Sequence, residues 1–146
     1  LISILFLIKY KLVSSLEMSF HKERPVPLLI TVTWMIYGYY KLIGVLVLAP
    51  ILKAEITGAI IILFIAAAIS KYWKISLHML AMGGVVGVFF SLNFLFGGLL
   101  QIIAISILLS GVLGIARINE GAHNHTQIYT GFLLGFLIEA AGILFF

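Results

Sequence analysis

The sequence predicts an all-α fold, a multi-span bundle of transmembrane helices, and three observations support this prediction. Of its 146 residues, 63% are hydrophobic and only 10% are charged, a balance that average soluble domains do not reach. Five apolar runs reach the roughly 20 residues with which a helix crosses a bilayer. These runs lack the alternation of a membrane barrel and are about twice as long as its strands. We therefore expect one integral membrane domain over residues 1–146.

Proline, glycine and polar residues mark the ends of the apolar runs. Pro25, Pro27 and Pro50 fall at run ends, where the missing amide proton of proline costs least. The weakest boundary separates the third run from the fourth and rests on Asn93 and the adjacent glycines 97 and 98. The predicted spans are residues 28–48, 51–70, 77–96, 97–116 and 127–146.

The two ends of the chain suggest a fragment. Residues 1–8 are apolar and precede Lys9 and Lys11, which is the reverse of the charge order in a signal peptide. We interpret them as the tail of a truncated N-terminal helix. The chain begins with Leu1 and ends in an apolar segment at Phe146, so we expect truncation at both ends.

The composition and charge of the chain indicate which classes of partner it binds. Nine basic residues against five acidic ones give a net charge of +4, and most of the basic residues stand between the apolar runs. This distribution favours membrane lipid and anionic headgroups over nucleic acid. The chain has no cysteine, so neither a disulfide nor a thiolate metal site is available. No cofactor is expected, and the expected location is a bacterial cell membrane.

Three polar blocks interrupt the apolar runs, at residues 21–25, 74–78 and 116–127. Because each span reverses the direction of the chain, all three blocks fall on the same face of the bundle. Lysines alone would follow from the excess of positive charge in cytoplasmic loops, but that rule does not account for the histidines in these blocks. The blocks therefore predict a site for an anionic headgroup at one membrane surface.

The residue types in these blocks suit phosphate chemistry. Arg24 and Arg117 are the two arginines of the chain, and a guanidinium offers a phosphate two parallel hydrogen bonds at any physiological pH. His123 is a candidate nucleophile toward phosphorus, and His78 is a candidate acid for the departing alkoxide. The hydroxyl of Ser76 is a candidate donor to a phosphoryl oxygen.

These residues resemble the signature of the type 2 phosphatidic acid phosphatase superfamily, which comprises membrane lipid phosphatases built on a six-helix bundle. The three parts of that signature read K-x6-R-P, P-S-G-H and S-R-x5-H-x3-D. The matching positions are Arg24, Pro25, Ser76, His78, Arg117 and His123. The departures are Glu17 for lysine, Ile75 for proline, Leu77 for glycine, Ala116 for serine and Gln127 for aspartate. Order and spacing agree over nearly the whole chain, which identifies it as a divergent member.

The resemblance implies hydrolysis of a phosphomonoester or diphosphate of a lipid. The implied roles are phosphate binding by Arg24 and Arg117 with help from Ser76, formation of a phosphohistidine by His123, and general acid catalysis by His78. Gln127 can orient His123 as the aspartate of the family does, but it cannot support a positive charge. In serine proteases the corresponding replacement costs about 10⁴ in turnover. Lys74 or Lys22 could supply the phosphate contact of the missing lysine.

Other functions stay open. One is a non-catalytic relative that binds anionic lipid without turnover. Another is a small transporter, but the internal repeats or broken helices of transporters are not visible. Zinc held by His123, His125, Glu120 and His78 is a further alternative. Histidines two residues apart do not share a helix face, and the arginines would repel a cation, so no metal is expected.

The lysines predict an orientation for this site. Lys9, Lys11, Lys22 and Lys71 lie on the histidine face and Lys53 lies on the other. By the positive-inside rule the site then faces the cytoplasm, whereas many members of the resembled family face outward.

Two patterns concern the packing of the helices. Pairs of glycines four residues apart are typical of helices whose backbones approach closely, and they occur at Gly83 and Gly87 and at Gly131 and Gly135. Glu139 and Lys41 lie at similar depth in their spans, counted from the same face, and could form an ion pair. Alternatively, Lys41 reaches the opposite surface and leaves the acid unpaired.

Overall fold

The computed structural model describes residues 21–145, and in this range it contains helices and no strand. The predicted all-α fold is therefore confirmed. The truncated helix predicted over residues 1–8, and Glu17 of the first signature part, lie outside the described residues. The elements are a 3₁₀ turn (His21–Glu23) and the helices α1 (Pro25–Lys41), α2 (Ile43–Leu46), α3 (Pro50–Ser70), α4 (Leu77–Phe96), α5 (Leu100–Asn119) and α6 (His125–Phe145).

Four of these helices, α3 to α6, are long and apolar enough to cross a membrane. They begin and end within three residues of the last four predicted spans. The first predicted span, residues 28–48, differs because it is divided into α1, with 17 residues, and α2, with four. Leu42 between them has φ −94° and ψ 3°, and Gly38 and Gly44 on either side lower the helix propensity of this region.

Local sequence explains where other helices begin and end. Ala49 has φ −130° and ψ 73°, because the residue before a proline is disfavoured in the helical conformation, and α3 therefore starts at Pro50. Between α4 and α5, Gly97 and Gly98 have φ of 75° and 83°, which glycine adopts freely. Asn93 Oδ1 accepts a hydrogen bond of 2.9 Å from the backbone that follows them. The predicted turn at this boundary is confirmed.

The two helices α4 and α6 form the most extensive contact in the bundle. Their backbones touch at two glycines on each helix. At Gly87 an added Cβ would lie 2.6 Å from the carbonyl oxygen of Phe136, which leaves no room for a side chain. The four contacts are Gly83 with Phe132, Gly87 with Phe136, Gly131 with Ser76 and Gly135 with Leu80. The close approach predicted from the glycine spacing is confirmed.

The other helices pack around this pair. Helix α3 contacts α1 and α6, whereas α5 packs mainly against α4. The outer face of α5 exposes Ile105, Leu108, Val112 and Ile115, as suits a helix that borders hydrocarbon. The buried core cluster consists of Leu28, Ile62, Ala66, Ala67, Ile75 and Leu80.

Lys41 and Glu139, although both described, are not joined by an ion pair. Lys41 is exposed at the end of α1, and its Nζ lies 5.5 Å from the ring centroid of Tyr37. Glu139 is buried in α6, with its carboxylate against Gly58 of α3. Of the two sequence interpretations, the one without the ion pair agrees with the structure.

We expect Gly135→Ala to destabilise the bundle, because the added methyl group would overlap the carbonyl of Leu80 and force α4 and α6 apart. Overpacking of a tight core costs about 1–3 kcal/mol, so the thermal unfolding midpoint of the purified protein should fall. Gly38→Ala is the matched control, since nothing lies within 4 Å of a Cβ at that position. Equal midpoints for the two variants would contradict the close backbone contact.

Candidate functional site

Hydrogen bonds join the first polar block to the second at one end of the bundle. His21 Nδ1 lies 2.9 Å from the carbonyl oxygen of Ser70 and donates to it, because a carbonyl can only accept. Arg24 Nη1 donates to the carbonyl of Ile75 at 3.1 Å. The start of α1 therefore lies beside the end of α3 and the start of α4.

A further hydrogen bond joins the second block to the third. The backbone N–H of Ser76 donates to the carbonyl of Gln127 at 3.4 Å, which places the starts of α4 and α6 side by side. The prediction that all three blocks meet at one end of the bundle is thus confirmed.

A tight turn brings the third block back over the end of α5. Gly121 has φ 63°, the left-handed conformation with which glycine ends many helices. The N–H groups of Ala122 and His123 then both donate to the carbonyl of Arg117, at 3.1 and 3.3 Å. His123 is thereby held beside the helix end that carries Arg117, and only 8% of its surface is exposed.

The orientation of the His123 ring is fixed by a capping box at the start of α6. Gln127 N–H donates to Asn124 Oδ1 at 2.9 Å, and Gln127 Oε1 accepts from Asn124 N–H at 3.3 Å, the reciprocal pair of a capping box. The same Oε1 lies 2.9 Å from His123 Nδ1. Because Oε1 accepts from a backbone N–H, it is the carbonyl oxygen, and Nδ1 must donate to it. In the neutral ring Nε2 then carries the free lone pair.

Burial and nearby charge keep this ring neutral. Burial is the largest influence and lowers the pKa of His123, and the charges of Arg24, Lys74 and Arg117 lower it further. The hydrogen bond to Gln127 opposes them but does not outweigh them. The imidazole is therefore uncharged at neutral pH, which is the form that can act as a nucleophile.

Three basic side chains are gathered around His123. Burial, and then the charge of Arg117, lowers the pKa of Arg24, although arginine stays protonated in proteins. Burial, followed by the charges of both arginines, also lowers the pKa of Lys74. Like charges held this close repel each other, and a bound anion would relieve the repulsion. Lys74, one of the two lysines suggested as replacing the signature lysine, thus lies within electrostatic range of both arginines.

Arg117 combines an ion pair with an unsatisfied donor. Its Nη1 donates to Glu120 Oε2 at 2.6 Å, and the pair is partly exposed, so that it is worth only about 0.5 kcal/mol. Arg117 Nε is buried and has no hydrogen-bond partner among the described residues. A phosphate oxygen at this edge of the guanidinium would satisfy Nε and compete with Glu120.

The second predicted catalytic histidine joins the same group. His78 lies exposed in the first turn of α4, close enough to Arg117, Arg24 and Glu120 for their charges to act on it. Both histidines therefore lie within electrostatic range of the same two arginines. Their division into nucleophile and acid stays a prediction.

Ser76 has a structural role at the start of α4. Its side chain is fully buried, and its Oγ accepts from the N–H of Met79 at 3.5 Å, which caps the helix. The contact predicted between this hydroxyl and a phosphate stays a prediction.

His125 stands apart from the two predicted catalytic histidines. It is exposed, and its ring stacks on Tyr129 with 6.3 Å between the centroids. Within residues 21–145 no three histidine, aspartate or glutamate side chains form a group that could hold a metal ion. The zinc alternative gains no support from this geometry.

A groove of about 330 Å³ leads away from the site between α5 and α6, with Met79 of α4 in its wall. Ile118 and His125 lie at the end near the site, and Ile107 and Phe132 lie toward the middle of the bundle. Ile107 and Ile118 are separated by roughly 16 Å of helix. Because its walls are mainly apolar, the groove can accept a hydrocarbon chain whose polar end lies at the cationic group.

Sequence reasoning missed two contributors to this site. Asn124 orients Gln127, and the spacing N-x-x-Q just before an apolar run is the capping-box signal that could have revealed it. Glu120 was predicted only as a zinc ligand, but it pairs with Arg117. Opposite charges three residues apart on a helix are the signal for such a pair.

Comparisons of the chain with protein-family models, curated proteins and solved structures found no match. Its class therefore rests on its own fold and site. It is a helical protein with four helices able to cross a membrane, and two histidines and three basic side chains meet at one end of the bundle.

We expect Gln127→Asp to raise the pKa of His123, because a carboxylate at the Nδ1 position stabilises the imidazolium. In the parent protein this histidine should titrate below the ordinary range, so protonation on acidification costs the folded state free energy. Histidine NMR over a pH series measures the pKa of His123 in the parent protein and in the variant. The chain's other glutamine provides the control, since Gln101→Asp in α5 should leave the titration unchanged. An unchanged pKa in Gln127→Asp would contradict the hydrogen bond.

Proposed function

We propose that this chain is a lipid phosphatase-like membrane protein that hydrolyses a phosphomonoester or diphosphate of a lipid through a phosphohistidine. Membership of the type 2 phosphatidic acid phosphatase superfamily is part of the proposal. The observation that carries it is the state of His123, whose Nδ1 donates to Gln127 while its Nε2 stays free beside three basic side chains. A nucleophile and a binding site for its phosphate target thus occupy the same place.

The first chemical step follows from these positions. Arg24, Arg117 and Lys74 bind the phosphate oxygens and offset the charge that develops on them. Nε2 of His123 attacks phosphorus and the bond to the leaving oxygen breaks, with His78 donating the proton that the alkoxide needs. In the second step His78 takes a proton from water as that water attacks phosphorus, and the bond between phosphorus and Nε2 of His123 breaks. Inorganic phosphate and the lipid with one phosphate fewer are the products.

Gln127 sets a limit on the rate. When Nε2 bonds to phosphorus, the ring becomes positively charged, and the amide of Gln127 can orient the ring but cannot neutralise this charge. An aspartate at the same position would do both. We therefore propose a slow enzyme, since the analogous change in serine proteases costs about 10⁴ in turnover.

We further propose that the chain crosses the membrane five times in the described range. The start of α1 is tied to the start of α4 by Arg24 and Ile75, and the end of α3 lies at the same face. The segment α1–α2 must therefore carry the chain to the far end, where α3 begins. Its 22 positions, 25–46, cover roughly the same 30 Å as the 21 residues of α3, so the break at Leu42 bends a crossing helix.

The groove between α5 and α6 favours a lipid over a soluble phosphate ester. It begins at Ile118, which follows Arg117, and at His125, two residues after His123, and it runs toward the middle of the bundle. A phosphate held by Arg117 would leave the attached acyl or prenyl chain free to enter this groove.

We expect purified protein to release phosphate from phosphatidic acid or a prenyl diphosphate. His123→Ala should abolish the release, and His78→Ala should lower it by about 10²–10⁴-fold, as for loss of a general acid. The unfolding midpoint of each variant shows whether it is folded. Release by folded His123→Ala at the parent rate would end the proposal.

The second candidate is a non-catalytic protein that binds anionic lipid. Two observations favour it: an amide stands where catalysis calls for a carboxylate, and Glu120 already occupies Nη1 of Arg117. It predicts lipid binding that is lost in Arg117→Ala, no phosphate release, and no gain from Gln127→Asp. An enzyme limited by Gln127 should instead turn over faster in that variant, so one substitution separates the two functions.

Blocking the groove should affect long-chain substrates alone. Nothing lies within 4 Å of a Cβ at Gly111, which lines the groove, so the side chain of Gly111→Leu would occupy space meant for hydrocarbon. We expect KM for long-chain phosphatidic acid to rise on the order of tenfold. KM for a short water-soluble phosphomonoester should stay unchanged. Gly38→Leu, also in open space, is the control. Equal losses on both substrates would contradict the assignment of the groove.

A further inference from the structure

A second cavity, of about 550 Å³, lies between α3, α4 and α6. Its lining is apolar except for two carboxylic acids, Glu55 of α3 and Glu139 of α6. Glu139 lies 14 residues after His125, at the start of α6, or roughly 21 Å along the helix. The cavity is thus separate from the cationic site. Ala81 and Val85 in its lining are exposed, so it opens to the apolar side of the bundle.

Glu139 is buried in this cavity with one of its carboxylate oxygens unsatisfied. Only 4% of its surface is exposed, and its Oε2 has no hydrogen-bond partner among the described residues. Gly58 makes room for the carboxylate, since a Cβ there would lie 2.6 Å from Oε2, and Gly84 lies against Cγ. A buried acceptor without a donor is unfavourable, so the bundle holds an acid that the described residues do not satisfy.

The chemistry of the lining defines the missing partner. It must donate a hydrogen bond to Glu139 Oε2, and Glu55 offers further acceptor oxygens in the same lining. An ammonium group, with three N–H bonds, can donate to both carboxylates. The partner must also fill a space far larger than an ion or a water molecule, whose share of volume is about 30 Å³. Cavities of roughly 300–1,000 Å³ with few polar groups are typical of small-molecule sites. An apolar body with one cationic, hydrogen-donating end meets each requirement.

We propose that this cavity is a second ligand site, which binds an amphiphilic amine from the bilayer. The ammonium group pairs with Glu139 and Glu55, and the hydrocarbon part lies against Ile62, Leu80 and Val88. The site does not depend on the phosphatase proposal, because it shares no residue with the cationic group at the other end of α6.

Dodecylamine and 1-dodecanol provide a matched pair of probes, equal in chain length and different in the charged end. Full-length protein in nanodiscs of zwitterionic lipid is titrated with each probe, and the unfolding midpoint gives the affinity. Dodecylamine should raise the midpoint, and dodecanol should raise it far less. Glu139→Gln keeps the shape of the side chain and should weaken amine binding roughly tenfold or more. Should that variant not fold, Glu55→Gln tests the same pairing.

Two controls separate this site from other effects. Glu23→Gln removes a carboxylate at the opposite end of the bundle and should leave the response to dodecylamine intact. His123→Ala should do the same, so loss of phosphatase activity and loss of amine binding are distinguishable. Equal responses to amine and alcohol, or an unchanged response in both Glu139→Gln and Glu55→Gln, would overturn the proposal.

Discussion

The backbone contact between α4 and α6 is the constraint on which the site depends. At Gly131 an added Cβ would lie 2.7 Å from the carbonyl oxygen of Ser76, and one turn earlier the Ser76 N–H reaches the carbonyl of Gln127. A side chain at Gly131 would therefore separate the two helix ends that carry His78 and Gln127. In a membrane, where hydrophobic burial does not hold helices together, such close packing is a main source of stability.

Electrostatics at the site oppose this packing. Burial lowers the pKa of Arg24 and of Lys74, and the repulsion from neighbouring cations lowers each pKa further. The bundle tolerates this repulsion because the carbonyl of Ile75 and the carboxylate of Glu120 each accept from one arginine. Neither contact neutralises the whole group. Three cations near one neutral histidine favour a partner of opposite charge, and the phosphate that we propose has the geometry that arginine forks match.

Much of this arrangement could be predicted from the sequence, because in a membrane chain the reversal of each span fixes which polar segments share a face. The span 77–96 has the bounds of α4, and the glycine pairs identified the tightest contact. The break at Leu42 was missed, since apolar composition continues across it and its cause lies in the weak helix propensity around Gly38 and Gly44. The pairing of Glu139 with Lys41 was suggested by equal depth, but depth says nothing of which helices are neighbours.

The sequence predicts the roles of individual residues less directly than it predicts the location of the site. Ser76 occupies the position of a phosphate donor in the signature, yet its hydroxyl caps α4 and is fully buried. Gln127 departs from the signature, yet the capping box with Asn124 holds its oxygen on His123 Nδ1, as an aspartate would be held. The proposed nucleophile is therefore oriented as the resembled signature requires, although the amide cannot support its positive charge. Orientation of the ring does not require a carboxylate, whereas support of its positive charge does. For this reason the geometry supports phosphate binding more strongly than it supports rapid turnover.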